Sequence, residues 1–239
     1  VRRDGTSRFS DKYKYATFPS ASVGWKVTSE PFMDNIDLFS ELKLRAGYGE
    51  IGNQGIDNFE TITTFQAGSR AILGGATVAG AVPARIANQD LRWETTKETN
   101  IGIDFSLAKN RFSGSIDYFN RNTFDQLFQQ PLPLTSGFST IRTNFGQVKN
   151  SGFDFSFSSR NVDKEWTWDT DIVFSVLKNE VVELPTFAAE VISGEFGFSG
   201  NYLITKVGSP IMSFYGYEQN GIFQTSDNIS ASAQPSALP

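Results

Sequence analysis

Six segments of this 239-residue chain alternate apolar and polar side chains with a period of two, the pattern of β-strands that have one apolar and one polar face. In NIGIDFSL, for example, Ile101, Ile103 and Phe105 share one face, and the polar residues between them share the other. In two of the three pairs a tight turn joins the two strands, and in the third pair a longer connection with Pro31 and Asn35 joins them. The pattern therefore predicts three antiparallel hairpins: 21–27 with 42–48, 100–107 with 111–118, and 152–158 with 166–176.

The lengths of the connections decide which kind of β-protein this pattern fits. Within the two clear hairpins the links have three or four residues, whereas the links between hairpins run from 51 to about 90, from about 126 to 149, and from about 179 onward. Short and long links alternate, so all long loops lie at one end of the sheet. Outer-membrane barrels have this asymmetry, with short periplasmic turns and long extracellular loops. The sequence thus predicts an all-β fold, an antiparallel transmembrane barrel segment, rather than a soluble sandwich.

The stretch GYGEIGNQG, from Gly47 to Gly55, has the spacing of a dinucleotide-binding loop. That motif requires a buried strand before the glycines and a helix that begins at the last one. The preceding residues alternate instead of being continuously apolar, and the following residues have no helical period. We therefore interpret Gly47, Gly49 and Gly52 as the point where a strand leaves the sheet for a glycine-rich loop.

Composition excludes several function classes. The chain has no cysteine and no histidine, so it has no thiolate metal site, no His ligand and no Ser-His-Asp triad. It has 21 Lys and Arg against 26 Asp and Glu, with no basic stripe, so nucleic acid is not an expected partner. We expect no catalytic residue, no metal and no cofactor. No run of about 18 apolar residues and no signal peptide are present, and we expect the chain to be a piece of a longer protein.

Three groups of side chains follow from the strand assignment. The tryptophans Trp25, Trp166 and Trp168 lie next to the short connections, where an interfacial aromatic girdle is expected. The acids on the faces opposite the rings, such as Asp169 and Asp171, are interpreted as wetted lumenal residues rather than as an acid–base pair. The predicted lipid-facing residues are Ile101, Ile103, Phe105, Phe112, Ile116, Tyr118, Phe153, Phe155 and Phe157.

A family resemblance supports this interpretation. It is carried by FPSASVGW (18–25), LKLRAGYGEIGNQGI (42–56), LRWETTKETNIGIDF (91–105), GSIDYFNRNTFDQLF (114–128), FGQVKNSGFDFSFSSRN (145–161) and GSPIMSFYGYEQNGIFQ (208–224). These segments resemble the SusC/RagA-type TonB-dependent outer-membrane receptors of Bacteroidota, in the family's order and over nearly the whole chain.

The resemblance implies a barrel of about 22 strands that is filled by a plug. It also implies TonB-driven uptake of oligosaccharides or peptides across the bacterial outer membrane, with a SusD-type lipoprotein as the surface lid. Residues 1–239 would then belong to the barrel domain and supply six or seven of its strands, without the plug, the TonB-binding segment or the final strands. The alternatives are a secreted all-β module that binds carbohydrate or acts as an adhesin, and a glycoside hydrolase with two carboxylates.

Further expectations concern stability and partners. An arginine at Ile103 should destabilise the barrel by about 2–4 kcal/mol, and the same change at Ser106 should cost little. Residues 1–239 alone should not form a stable soluble monomer, because a partial barrel has unpaired edges and an apolar band. The aromatic residues of the last long loop, Phe214, Tyr215 and Tyr217 first, are candidates for contact with the lipoprotein or with imported sugar.

Overall fold

The computed structural model describes residues 1–185, 190–193 and 202–216. Its central feature is one antiparallel sheet of six strands: β3 (Ser20–Lys26), β4 (Phe39–Asn53), β7 (Glu94–Leu107), β8 (Phe112–Phe124), β11 (Gln147–Asp163) and β12 (Thr167–Glu183). Their spatial order in the sheet is β12-β11-β8-β7-β4-β3. Every sheet neighbour is also a neighbour in the sequence of these six strands, which is the up-and-down order of a barrel wall.

The remaining strands form small hairpins in the connections. They are β1 (Arg2–Gly5) with β2 (Tyr15–Phe18), β5 (Phe65–Leu73) with β6 (Ala76–Pro83), β9 (Leu127–Pro131) with β10 (Thr140–Asn144), and β13 (Glu190–Ser193) with β14 (Leu203–Lys206) and β15 (Ser213–Phe214). Short 3-10 helices occupy Val27–Ser29, Pro31–Met33 and Leu134–Ser136. The described residues contain no helix that is long and apolar enough to cross a membrane.

All three predicted hairpins are present, and the asymmetry of the connections is observed. The links at one end of the sheet are 27–38, 108–111 and 164–166, and those at the other end are 54–93, 125–146 and the residues after 183. We call these the short-turn end and the long-loop end. The sequence did not reveal that the long links contain hairpins of their own.

The glycine-rich stretch differs from its interpretation as a strand exit. Strand β4 continues to Asn53, and Gly47 and Gly49 pair inside it with Ser22 and Ser20 of β3. The interpretation is therefore wrong for these two glycines. Gly52 has a different reason to be glycine, because the ring of Phe18 occupies the place that a Cβ atom would take.

Most of the buried apolar side chains lie at the long-loop end, away from the centre of the sheet. Five of them form the cluster that we call the loop-end core: Phe9, Phe18, Ile56, Leu91 and Trp93. The rings of Phe9 and Phe18 lie 5.5 and 5.7 Å from the ring of Trp93, and the Trp93 indole N–H donates to the carbonyl of Tyr13 at 3.0 Å. This core joins residues that are far apart in sequence.

Candidate functional site

The two faces of the six-stranded sheet are chemically different. Directly paired residues of an antiparallel sheet share a face, so the register defines rows of side chains across the six strands. One row consists of Trp25, Leu44, Ile103, Ile116, Phe155 and Phe174, and a neighbouring row of Val23, Ala46, Ile101, Tyr118, Phe153 and Val176. Every residue in both rows is apolar or aromatic.

We call this face the apolar band. Besides the two rows it includes Leu42, Phe105, Leu107, Phe112, Phe157 and Ile172. Its side chains are largely accessible, and Ile101 is 54% exposed in the centre of the sheet. Neighbouring rings contact one another within it; those of Tyr118 and Phe153, for example, lie 5.0 Å apart. All nine residues that the sequence predicted to face lipid lie on this one face.

The opposite face is polar and is organised around Arg45. Its guanidinium binds the Asp104 carboxylate through Nε and Nη2 at 2.7 and 2.8 Å, and Nη2 also lies 3.0 Å from Oδ1 of Asp117. Arg45 thus reaches from β4 across β7 to β8. Gly102 lies beneath it, where a Cβ atom would contact Asp117 and Arg45. We call Arg45, Asp104 and Asp117 the carboxylate–arginine network.

Hydroxyl and carboxylate pairs continue this polar face across β8, β11 and β12. The Ser115 and Ser156 hydroxyls lie 2.8 Å apart, and the hydroxyls of Ser158 and Ser175 donate to Asp171 and Asp154. The described residues contain no group of three or more acidic side chains placed to hold a metal ion. The sequence identified the acids of this face but missed Arg45 as their partner, because the pairing depends on the register of β4 against β7.

Ser106 corrects one expectation from the sequence. It lies on the polar face but is only 6% exposed, and its hydroxyl donates to Oδ1 of Asn110 at 2.8 Å, in the turn that follows β7. An arginine at this position would break the turn contact and would have no room. Ser106 is therefore unsuitable as the polar-face position where an arginine should cost little. Val173, 81% exposed on the polar face of β12, takes that role.

The three tryptophans predicted for the interface lie towards the short-turn end. Trp25 is on β3, its indole N–H donates to Glu30 at 2.8 Å, and its ring lies 6.5 Å from that of Phe32. Trp168 is on β12, on the same face as Ile172. Trp166 immediately precedes β12 and belongs to the 164–166 turn. All three are exposed.

At the long-loop end, polar contacts join the 54–93 link to the 125–146 link. The Arg92 guanidinium donates to Asp125 at 2.6 Å, which raises the pKa of Arg92. The Asn144 side chain brackets Arg92, accepting from its backbone N–H at 2.8 Å and donating to its carbonyl at 2.7 Å. These two links therefore pack together at the long-loop end of the sheet.

The candidate aromatic contact residues lie on a third unit at the same end. The turn at Gly208 and Ser209 pairs with Val181 of β12 through two backbone hydrogen bonds of 2.8 and 2.9 Å. Phe214, on the short strand that follows, is 93% exposed, and Tyr215 is also exposed. Tyr217 lies outside the described residues.

Comparison with known proteins identifies the family. The model for the TonB dependent receptor-like β-barrel matches residues 1–228. The chain belongs to this family of outer-membrane receptors. It is 39% identical over 94% of its length to TonB-dependent receptor P3 of Formosa agariphila, and 33% identical over 92% to TonB-dependent receptor SusC of Bacteroides thetaiotaomicron. It spans 23% of each of these two relatives.

Solved structures support the same family assignment. The structure of the RagAB peptide transporter matches 89% of this chain with a TM-score of 0.77 and 26% identity, and the chain covers 22% of that protein. RagAB in the open-open state of the peptide importer matches with a TM-score of 0.73 over 85% of the chain. The SusC/RagA-type resemblance and the transmembrane barrel segment are thus confirmed. The family assignment decides against a secreted binding module.

Proposed function

We propose that residues 1–239 form part of the barrel wall of a receptor that imports oligosaccharides or peptides through the outer membrane. Uptake would be driven by TonB, with a SusD-type lipoprotein as the surface lid. The observation that carries this proposal is the two-faced sheet, whose apolar band is accessible on one side and whose carboxylate–arginine network lies on the other. A wall between lipid and a polar lumen needs both faces.

The band is the surface proposed to contact lipid. The end of the band nearest the short turns lies at a different position on each strand. Trp25 of β3 is in register with Phe174 of β12, but the apolar residues of β12 continue for six more positions, to Trp168. With about 4.8 Å between strands and about 3.3 Å per residue, this slope is about 40° from the pairing direction. Strands of outer-membrane barrels tilt by about 35–45°, so the limit of the band would be level with the membrane plane.

The same geometry supports an interfacial girdle of Trp25, Trp166 and Trp168. Trp25 lies on β3, and Trp168 on β12 and Trp166 in the turn before it lie at the opposite edge of the sheet; the tilt would bring all three to one depth. Indole rings favour the headgroup region because they combine an apolar body with a hydrogen-bond donor. We therefore assign the short-turn end to the periplasmic interface and the long-loop end to the cell surface.

The proposed lid and substrate contacts lie on the unit that carries Phe214 and Tyr215. A ring as exposed as that of Phe214 is costly in water, and apolar groups of this kind usually mark a contact surface. RagAB is described as a peptide transporter, and a peptide or an oligosaccharide would suit aromatic side chains equally. Tyr217 remains part of the proposal from the sequence alone.

The test replaces Phe214, Tyr215 and Tyr217 by alanine in the full-length receptor. Because Phe214 and Tyr215 are exposed, barrel insertion should be unchanged, while co-purification of the lipoprotein or uptake of the nutrient should fall. Leu134→Ala is the matched control, since Leu134 is an equally exposed apolar residue of another long link. If the triple variant retained both co-purification and uptake, the three rings would have no role in partner contact.

A further inference from the structure

A second polar site lies at the short-turn end, between two neighbouring turns. Strand β11 extends beyond the end of β8, so the 108–111 turn leaves a recess of about 540 Å³ beside residues 160–164. Four cationic side chains line it: Lys109, Arg111, Arg160 and Lys164. We call this recess the basic pocket. Its only acidic lining residue is Asp163.

Three of the four cations of the basic pocket have no carboxylate partner among the described residues. Arg45, Lys97 and Arg121 each have a carboxylate partner, whereas Lys109, Arg111 and Lys164 form no ion pair with any residue that the structure describes. Arg160 lies 3.6 Å from Asp163 and 3.4 Å from Asp169, and both side chains are exposed. The pocket lining carries a net charge of +3, in a chain with a formal net charge of −5.

Two backbone carbonyls hold the Arg111 side chain in position. Its Nε donates to the carbonyl of Arg160 at 3.1 Å, and its Nη2 donates to the carbonyl of Asn161 at 2.9 Å. These contacts occupy the edge of β11 where β8 has ended. They fix the side chain while its charge remains uncompensated. A guanidinium placed in this way gives a strong, charge-assisted hydrogen bond to a phosphate oxygen.

The basic pocket adjoins the apolar band. The Arg111 guanidinium lies 5.9 Å from the ring of Phe112, the last ring of the band on β8. Trp166 follows Lys164 by two residues and is exposed beside the same turn. A molecule that occupied both surfaces would need an anionic head and an apolar body.

We propose that the basic pocket binds the phosphate of an anionic phospholipid whose acyl chains lie on the apolar band. Basic pockets at the ends of membrane-spanning segments attract anionic headgroups, with each Lys or Arg contributing to the attraction. Lys109 and Lys164 would reach the headgroup from the two turns, and Arg111 would bind the phosphate between them. The proposal rests on the lipid-facing assignment of the band, and it assigns the lipid to the periplasmic leaflet.

The test measures lipid binding by native mass spectrometry of the full-length receptor in detergent. Phosphatidylglycerol is the anionic probe and phosphatidylcholine the zwitterionic one. The wild-type receptor should prefer phosphatidylglycerol, and the double variant Lys109→Gln/Lys164→Gln should bind it roughly tenfold more weakly. Neither lysine has an ion-pair partner among the described residues, so folding should be unaffected. The control is Arg70→Gln/Lys206→Gln, which removes two exposed cations at the long-loop end that form no ion pair with the described residues.

Each other outcome overturns the proposal. Equal affinity for phosphatidylglycerol in the wild type and the double variant would show that the pocket binds no headgroup. Displacement of the lipid by millimolar inorganic phosphate would indicate a site for free anions. If the double variant kept the lipid preference of the wild type but its plug were proteolysed faster, the pocket would be a contact within the protein. The variant Ile172→Arg tests the lipid-facing assignment separately. Normal insertion of this variant would show that the assignment is wrong.

Discussion

The apolar band and the loop-end core contain the same kinds of residue in opposite surroundings. Ile101 in the centre of the sheet is 54% exposed, whereas Leu91 in the loop-end core is 0% exposed. The core packs protein against protein, with Trp93 between Phe9 and Phe18. The band has no protein layer over it in the described residues. The difference shows that the long links supply their own apolar partners, while the apolar band has no covering layer among the described residues.

That contrast explains why the isolated chain is not expected to be a soluble monomer. The outer strands β3 and β12 each have one neighbour in the sheet, and the band between them is accessible. Unpaired strand edges and a large apolar surface both favour association in water. The loop-end core cannot compensate, because it covers one end of the sheet and not its face.

The largest expected effect concerns the loop-end core. Trp93→Ala should destabilise the folded receptor by about 3–5 kcal/mol, because it leaves a cavity between Phe9 and Phe18 and removes the hydrogen bond to Tyr13. The free energy of unfolding of the full-length receptor, reconstituted in lipid and titrated with denaturant, measures this. Phe59→Ala, at an exposed ring of the same link, is the control and should change it little. A cost below about 1 kcal/mol for Trp93→Ala would mean that this core contributes little to stability.

The next effect sharpens the contrast between the two faces on a single strand. Ile172 of β12 belongs to the apolar band, and its neighbour Val173 is on the polar face. If the apolar band faces lipid as proposed, Ile172→Arg places a charge in lipid and should cost about 2–4 kcal/mol, while Val173→Arg should cost close to zero. The same denaturant titration compares the two variants. Similar costs for both would show that the inside and outside faces are wrongly assigned.

The smallest of these effects concerns the polar face. Arg45→Leu should destabilise the receptor by about 1–3 kcal/mol, because Asp104 and Asp117 lose their shared, half-buried partner. Arg121→Leu breaks a more exposed pair with Glu98 and should cost less than about 1 kcal/mol. The measurement is again the free energy of unfolding. An equal loss in both variants would mean that the network across Gly102 adds nothing beyond an ordinary surface pair.

The sequence predicted the sheet because the relevant signal is local. The alternation in 100–107 and 111–118 sets both strands, and the short link between them sets their pairing. The loop-end core could not be predicted in this way, since Phe9, Ile56 and Leu91 come from segments without periodicity. The interpretation of Gly47 and Gly49 was wrong for a related reason. Glycine is common where a strand ends, but here the strand continues and its pairing with β3 decides the conformation.

The candidate surfaces were predictable to different degrees. One face of each hairpin follows from its own sequence, so the nine predicted residues fall on one side of the sheet. Contacts across three strands, such as Arg45 with Asp117, require the register and were missed. The burial of Ser106 was missed as well, because it comes from a turn residue, Asn110, that lies outside the alternating segment.

In the proposed barrel wall, the apolar band faces lipid and the opposite face does not. Single cysteines introduced from Asp171 to Val176 in the full-length receptor, in bilayers, can carry a spin label on each face of β12, where all six side chains are exposed. The lipid-facing assignment predicts that labels at 172, 174 and 176 are accessible to oxygen dissolved in lipid, and that labels at 171, 173 and 175 are not. An accessibility profile without this period of two, or with the two sets exchanged, would contradict it.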